Sequence, residues 1–111
     1  MSIATKTTVV FSATVKEGRE PEFVAMGQEI AKSVRAEEDG CLAYSILQRQ
    51  DSPREFVVFE QYRDQAALLS HQAHLVSLLG PPPADVRTPL PARFLELLER
   101  VDVGFYQVIA G

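Results

Sequence analysis

Residues 68–76 read LLSHQAHLV, and His71 and His74 within them are the only histidines of the chain. Imidazole titrates near neutrality, so either ring can act as a base, a hydrogen-bond partner or a metal ligand. Two ligands at i, i+3 on a helix can converge on one ion. A helical projection of about 100° per residue, however, separates these two. With Leu68, Leu75 and Leu79 at the centre of the apolar stripe, His71 lies roughly 60° from Leu68 and points into the gap between helix and sheet. His74 falls roughly 60° further out and is expected half exposed on the flank. A catalytic zinc normally needs a third protein ligand, and only a carboxylate such as Glu60 could supply it. No metal site is therefore expected. His71 is left either as a base or as a core-edge histidine satisfied by a neighbour such as Glu60.

Glu60 stands alone among apolar residues on its strand face. A carboxylate there must be paired or hydrogen-bonded, because burial makes its charge expensive. It can orient or deprotonate His71 or a bound hydroxyl, or it can make a purely structural bond. Tyr44 and Tyr62 share its face if the strands pair as their alternation suggests. Each can offer a ligand a flat wall and one polar handle, or simply pack with its hydroxyl at the edge. Ser12 has no GxSxG around it and reads as a strand serine. Cys41 has no partner thiol or positioned base. No GxGxxG or GxxxxGK occurs, so nucleotide binding has no support.

Alternating strands and periodic helices must position these groups. Thr7 to Lys16 alternates as a half-buried strand, with Val9, Phe11, Ala13 and Val15 on one face. Over residues 20–38 the period changes, and Phe23, Met26, Ile30 and Val34 form one helical stripe. Pro21 suits the first turn, Glu20 and Glu22 suit the positive end of the dipole, and Gly40 suits a positive-φ stop. The run Glu37-Glu38-Asp39 opposes the dipole and reads as a solvated turn. Cys41 to Gln50 alternates again, with Leu42, Tyr44 and Ile46 on one face. The turn chemistry of Asp51-Ser52-Pro53-Arg54 leads into a third strand, Glu55 to Arg63, which makes an antiparallel hairpin. Asp64 is placed to cap a second helix from Gln65 to about Leu79. A loop over 80–91 follows, rich in proline (Pro81, Pro82, Pro83, Pro89 and Pro91) and long enough to suggest a functional role. Ala92 to Arg100 reads as a short helix presenting Phe94, and Val101, Val103, Phe105, Gln107 and Ile109 as a last strand.

The order β-α-β-β-α-(α)-β predicts an α+β, ferredoxin-like split βαβ protomer, with a four-stranded antiparallel sheet and helices on one face. At 111 residues the chain is expected to form a single domain, 1–111. The strands carry apolar residues on both faces, and a monomer would leave one of these to water. A homodimer packed sheet to sheet is the simplest remedy. A formal net charge of −4 argues against sequence-independent nucleic-acid binding, which needs clustered cations. No apolar run reaches bilayer length, and the N-terminal residues do not have the pattern of a secretory signal. With one cysteine, a reduced cytoplasmic setting is the default expectation.

VKEGREPEF (15–23), EEDGCLAYS (37–45), DSPREF (51–56) and above all FVVFEQYRDQAALLSH (56–71) resemble the antibiotic biosynthesis monooxygenase-like family of the dimeric α/β-barrel superfamily. The resemblance covers residues 7–79 well and the last strand loosely. It implies a ferredoxin-like protomer, two sheets face to face in a homodimer, and a pocket in each protomer between sheet and helices. It also implies cofactor-independent oxidation of small phenols or quinols by O2. Relatives that degrade haem use an Asn, a Trp and a His, and this chain has neither Asn nor Trp. Tyr62 stands where the family commonly has Trp.

Under this resemblance the pocket is lined by Phe11, Tyr44, Glu60, Tyr62, His71 and Phe94. His71 serves as base, Glu60 orients it and Tyr62 is a wall or donor, around a small aromatic ligand and with no cofactor. The alternative is a non-catalytic ligand-binding or structural dimer of the same fold. An open pocket large enough for an aromatic ring in front of His71 and Glu60 would favour the enzyme. A His71–Glu60 hydrogen bond walled off from solvent would favour the alternative.

Overall fold

The computed structural model describes residues 6–84 and 90–111. Part of the Pro-rich loop, residues 85–89, thus lies outside the described residues. The elements run β1 (Thr7–Val15), α1 (Glu20–Glu37), β2 (Cys41–Gln48), β3 (Glu55–Tyr62), α2 (Gln65–Leu79), α3 (Ala92–Leu95) and β4 (Leu98–Tyr106). The strands form one antiparallel sheet in the order β2-β3-β1-β4, the ferredoxin-like arrangement predicted from the periodicity.

Register places the alternating residues on two faces. Val9, Phe11, Ala13 and Val15 of β1 turn toward the helices, as do Phe56, Val58, Glu60 and Tyr62 of β3. Tyr44 pairs with Glu60 and Ile46 with Val58, so β2 adds its own inward residues. Leu42 departs from the predicted alternation. A register shift between Cys41 and Ala43 pairs Cys41 with inward-facing Tyr62 and leaves Leu42 exposed.

The helices cover the inner face through Phe23, Ile30 and Val34 of α1 and Ala67, Leu68 and His71 of α2. At the centre are tilted aromatic pairs, Phe23 with Phe56 at 4.6 Å, Phe11 with Phe94 at 5.3 Å and Phe23 with Phe94 at 5.5 Å between ring centroids. Such pairs add to the area term of a core. The capping chemistry of α2 is as read from the sequence. The Asp64 side chain accepts from the Ala67 N–H at 2.9 Å, and Gly80 ends the helix at φ 89°.

Three expectations are corrected. Gly40 does not stop α1 by positive φ. It is needed for space, because a Cβ there would stand 2.5 Å from the Cβ of Ala67, where α2 begins. The helix predicted over 92–100 is a single turn, since Leu98 already pairs with Val15 in the sheet. The last strand ends at Tyr106 rather than Ile109.

Among the described residues, no helix lies on the outer face. Val10 and Val57 are partly covered there, whereas Phe59 and Leu47 are exposed. A broad open concavity of about 750 Å³ runs along it, with Ser12, Thr14, Leu47 and Val57 in its walls. On β4 the outward positions Arg100, Asp102 and Gly104 bear no large apolar side chain, and the exposed ring of Tyr106 lies over Gly104.

Candidate functional site

α2 presents His71 to the sheet, as the projection predicts, and the ring is 2% exposed. Its Nδ1 does not find Glu60. It lies 3.0 Å from each oxygen of Glu38, immediately after α1. A carboxylate accepts, so His71 donates from Nδ1 and its Nε2 carries the lone pair. That Nε2 lies 3.6 Å from Glu60 Oε1, outside hydrogen-bond distance. Glu60 accepts a 2.6 Å bond from the Tyr62 hydroxyl.

His74 was expected half exposed on the flank, and this is corrected. Its side chain is only 14% exposed, with Nδ1 2.6 Å from Glu38 Oε2 and Nε2 3.0 Å from Ser33 Oγ. The two imidazoles diverge on α2 but bend back onto one carboxylate. Glu38 is thus the hub of the cluster, its side chain only 8% exposed and not part of a solvated turn. One signal in the sequence points to it. An acidic side chain at the C-terminal end of a helix opposes the dipole, and such a placement calls for a compensating partner elsewhere.

Burial sets the proton affinities. Removal from water pushes the Glu60 carboxyl up to about 7, against the lowering effect of the Tyr62 hydrogen bond, with the Glu38 charge adding to the rise. The same desolvation lowers His71, and the Glu38 charge and hydrogen bond only partly oppose this. Tyr44 and Tyr62 are both raised, first by burial and then by the Glu60 charge, so their hydroxyls stay protonated, and that of Tyr62 donates to Glu60. Cys41 rises to about 11 through burial and the Glu38 charge, which makes it a poor nucleophile.

Five of the six residues assigned to the pocket border two small cavities between sheet and helices. One, about 20 Å³, is lined by Phe11, Tyr44, Glu60 and Phe94 among others. Its neighbour, about 40 Å³, is lined by Phe11, Glu60 and His71, and both share Leu75 and Leu90. Tyr62 lines neither. It is fully buried, with its ring 5.2 Å from that of His71. The Tyr44 ring flanks His71 at 5.5 Å. Each cavity holds about one water, well short of the roughly 150 Å³ that admits benzene. An aromatic ring can enter only if side chains such as Leu75 and Leu90 shift. Among the described residues, no three His, Cys, Asp or Glu side chains are grouped to hold a metal ion. No helix there is long and apolar enough to cross a membrane.

Comparison with known proteins bears on this arrangement. The family model described as antibiotic biosynthesis monooxygenase matches residues 7–76, which contain Glu38, Glu60, Tyr62, His71 and His74. An uncharacterized protein, sll1783, from Synechocystis is 35% identical over 57 residues, 51% of this chain but only 38% of that protein. The crystal structure of PA3566 from Pseudomonas aeruginosa superposes with a TM-score of 0.77 at 26% identity, covering 99% of this chain and 100% of that one. A crystal structure described as an antibiotic biosynthesis monooxygenase gives a TM-score of 0.74 at 21% identity, over 94% and 99% of the two chains. At that identity the likeness is one of fold.

Proposed function

Since the chain belongs to the antibiotic biosynthesis monooxygenase family, we propose that it oxidises a small phenol, quinol or other electron-rich aromatic with O2 and without a cofactor. The observation that carries this reading is the facing pair of Glu60 and His71. Glu60, whose carboxyl burial raises to about 7, and His71 border the same cavity, where either can take a proton from a bound hydroxyl.

Loss of that proton leaves an electron-rich anion. It passes an electron to O2, and the radical pair recombines to form a carbon–oxygen bond. The oxygen–oxygen bond then breaks, one oxygen stays as a carbonyl and the other leaves as water. Phenol plus O2 thus gives quinone plus water, with no external reductant. The protein's part is to hold the ring, supply the base and exclude water. The geometry refines the roles expected from sequence. Glu60 is the base at the ligand space, His71 backs it, and Tyr62 donates to the same Glu60 oxygen that faces His71. Phe11, Tyr44 and Phe94 are the aromatic walls.

Two further parts belong to this reading. The outer sheet face, with Leu47, Val57 and Phe59, packs against the same face of a second copy, as two exposed apolar sheets would. The dimer works in a reducing cytoplasm.

The alternative, a ligand-binding or structural dimer without catalysis, is favoured by the small size of the cavities and the enclosure of His71. Oxygen uptake with a panel of hydroquinones and naphthols separates the two readings. Uptake that falls at least tenfold in Glu60→Gln and His71→Ala supports catalysis. No uptake with any member of the panel, with or without added flavin, leaves the binding role.

A further inference from the structure

Buried titratable groups are expensive, and this protein aligns several of them from three elements. Glu38 follows α1, His71 and His74 come from α2, and Glu60 comes from β3. Outermost, His74 and Glu38 help to line an open cleft of about 350 Å³. Innermost, Glu60 and His71 line the cavity beside Phe11. None of the described residues lines both spaces. The file between them runs from Glu60 Oε1 to His71 Nε2 at 3.6 Å, then from His71 Nδ1 to Glu38 at 3.0 Å.

We propose that His71 and Glu38 form a proton relay between the interior Glu60 and the surface cleft, with His74 as a positioning residue that holds the Glu38 carboxylate. Polarity is the reason. Glu38 fixes the His71 proton on Nδ1 and so aims the Nε2 lone pair at Glu60. A histidine that served only as packing would need one partner, whereas this ring faces a carboxylate at each nitrogen. The other groups that face the file do not divert the proton. The hydroxyls of Tyr44 and Tyr62 and the thiol of Cys41 hold their own protons more tightly than usual. Arg63 lines the same cleft as Glu38 and carries no proton acceptor.

The relay deepens the oxygenase reading, and its use in catalysis rests on that reading. The bond between oxygen and hydrogen in the substrate breaks as the proton moves to Glu60. It passes to His71 Nε2, the Nδ1 proton moves to Glu38, and Glu38 releases it into the cleft. When the second oxygen leaves as water, one proton returns by the same path and the ring recovers its first tautomer. The cycle therefore has no net proton uptake.

Nuclear magnetic resonance of the full chain labelled with 15N-histidine tests the relay without substrate. We expect neutral His71 to be the Nδ1–H tautomer, and its ring proton to exchange with water at least tenfold more slowly in Glu38→Gln than in the wild type. The amide of Val58 on β3, measured in the same samples, reports opening of the whole fold. If Glu38→Gln does not fold, Glu38→Asp withdraws the carboxylate by one methylene and should slow exchange likewise. An Nε2–H tautomer in the neutral wild type, or equal ring exchange in wild type and variant, overturns the proposal. Absence of oxygen uptake would remove the oxygenase reading alone, and the exchange rates would still decide the relay.

Discussion

His71 holds its Nδ1 3.0 Å from both oxygens of Glu38, a residue 33 positions away in the chain. The pair ties α2 to the end of α1, and both side chains are nearly withdrawn from water, 3% and 8% exposed. Removing one partner strands the other. Glu38→Ala should therefore cost about 2–4 kcal/mol in urea unfolding, because two imidazole donors lose their acceptor at once. His74→Ala leaves the His71 bond intact and should cost less, about 1 kcal/mol. A double-mutant cycle of Glu38→Ala with His71→Ala should show a coupling of about 1–3 kcal/mol, and additivity would mean that the contact contributes nothing.

Glu60 makes stability depend on pH in an unusual direction. Its folded carboxyl titrates at about 7, against 4.5 for the ordinary group. Between those values the folded chain holds a proton that the unfolded chain has released, so this group's contribution falls as pH rises from 4.5 to 7. Glu60→Gln keeps an acceptor for Tyr62 and removes the titration. Denaturation should find the variant gaining on the wild type by about 2–3 kcal/mol between pH 4.5 and pH 8. His71 slopes the other way. Its folded affinity is lowered, so its contribution is intact above the ordinary value of 6.5 and is lost as pH falls below it. A constant difference between Glu60→Gln and the wild type across this range would count against a raised carboxyl.

Gly40 tests the packing at the same corner. A methyl group there meets Ala67 Cβ at 2.5 Å and cannot fit without moving the start of α2. Gly40→Ala should destabilise by about 1–3 kcal/mol through overpacking. Adding Ala67→Gly should recover part of that loss. If the single variant is as stable as the wild type, the corner is looser than described.

The outer face makes its own prediction. Leu47 is 53% exposed and Phe59 37% exposed on a sheet face that no helix of the described residues covers. Charged side chains there would be buried unpaired in a sheet-to-sheet dimer but harmless in a monomer. Light scattering at micromolar concentration should report a dimer for the wild type and a monomer for Leu47→Asp with Phe59→Asp. A monomeric wild type would contradict the dimer.

Much of the fold was legible because it depends on local period. Alternation in Thr7–Val15 and Glu55–Tyr62, the helical stripe of Phe23, Ile30 and Val34, and the Asp64 cap each lie within one turn or one strand. The β2–β3 turn then fixed which residues share a face, and so set Tyr44 beside Glu60. The boundaries of α3 and β4 were not legible. The apolar residues Phe94, Leu97 and Leu98 suit one more helical turn, and only sheet pairing with Val15 draws Leu98 into a strand.

For the site, the sequence by itself determined that His71 faces inward and that Glu60 shares its layer with Tyr44 and Tyr62. It also determined that one carboxylate would sit at considerable cost among apolar side chains. What only the tertiary structure decided is who answers whom. The end of α1 comes to rest against α2, and Glu38 rather than Glu60 takes the hydrogen bond of His71. The same approach brings His74 back from the flank. Periodicity fixes the direction of a side chain around its own helix, but the partner it meets depends on how two helices lie against one sheet.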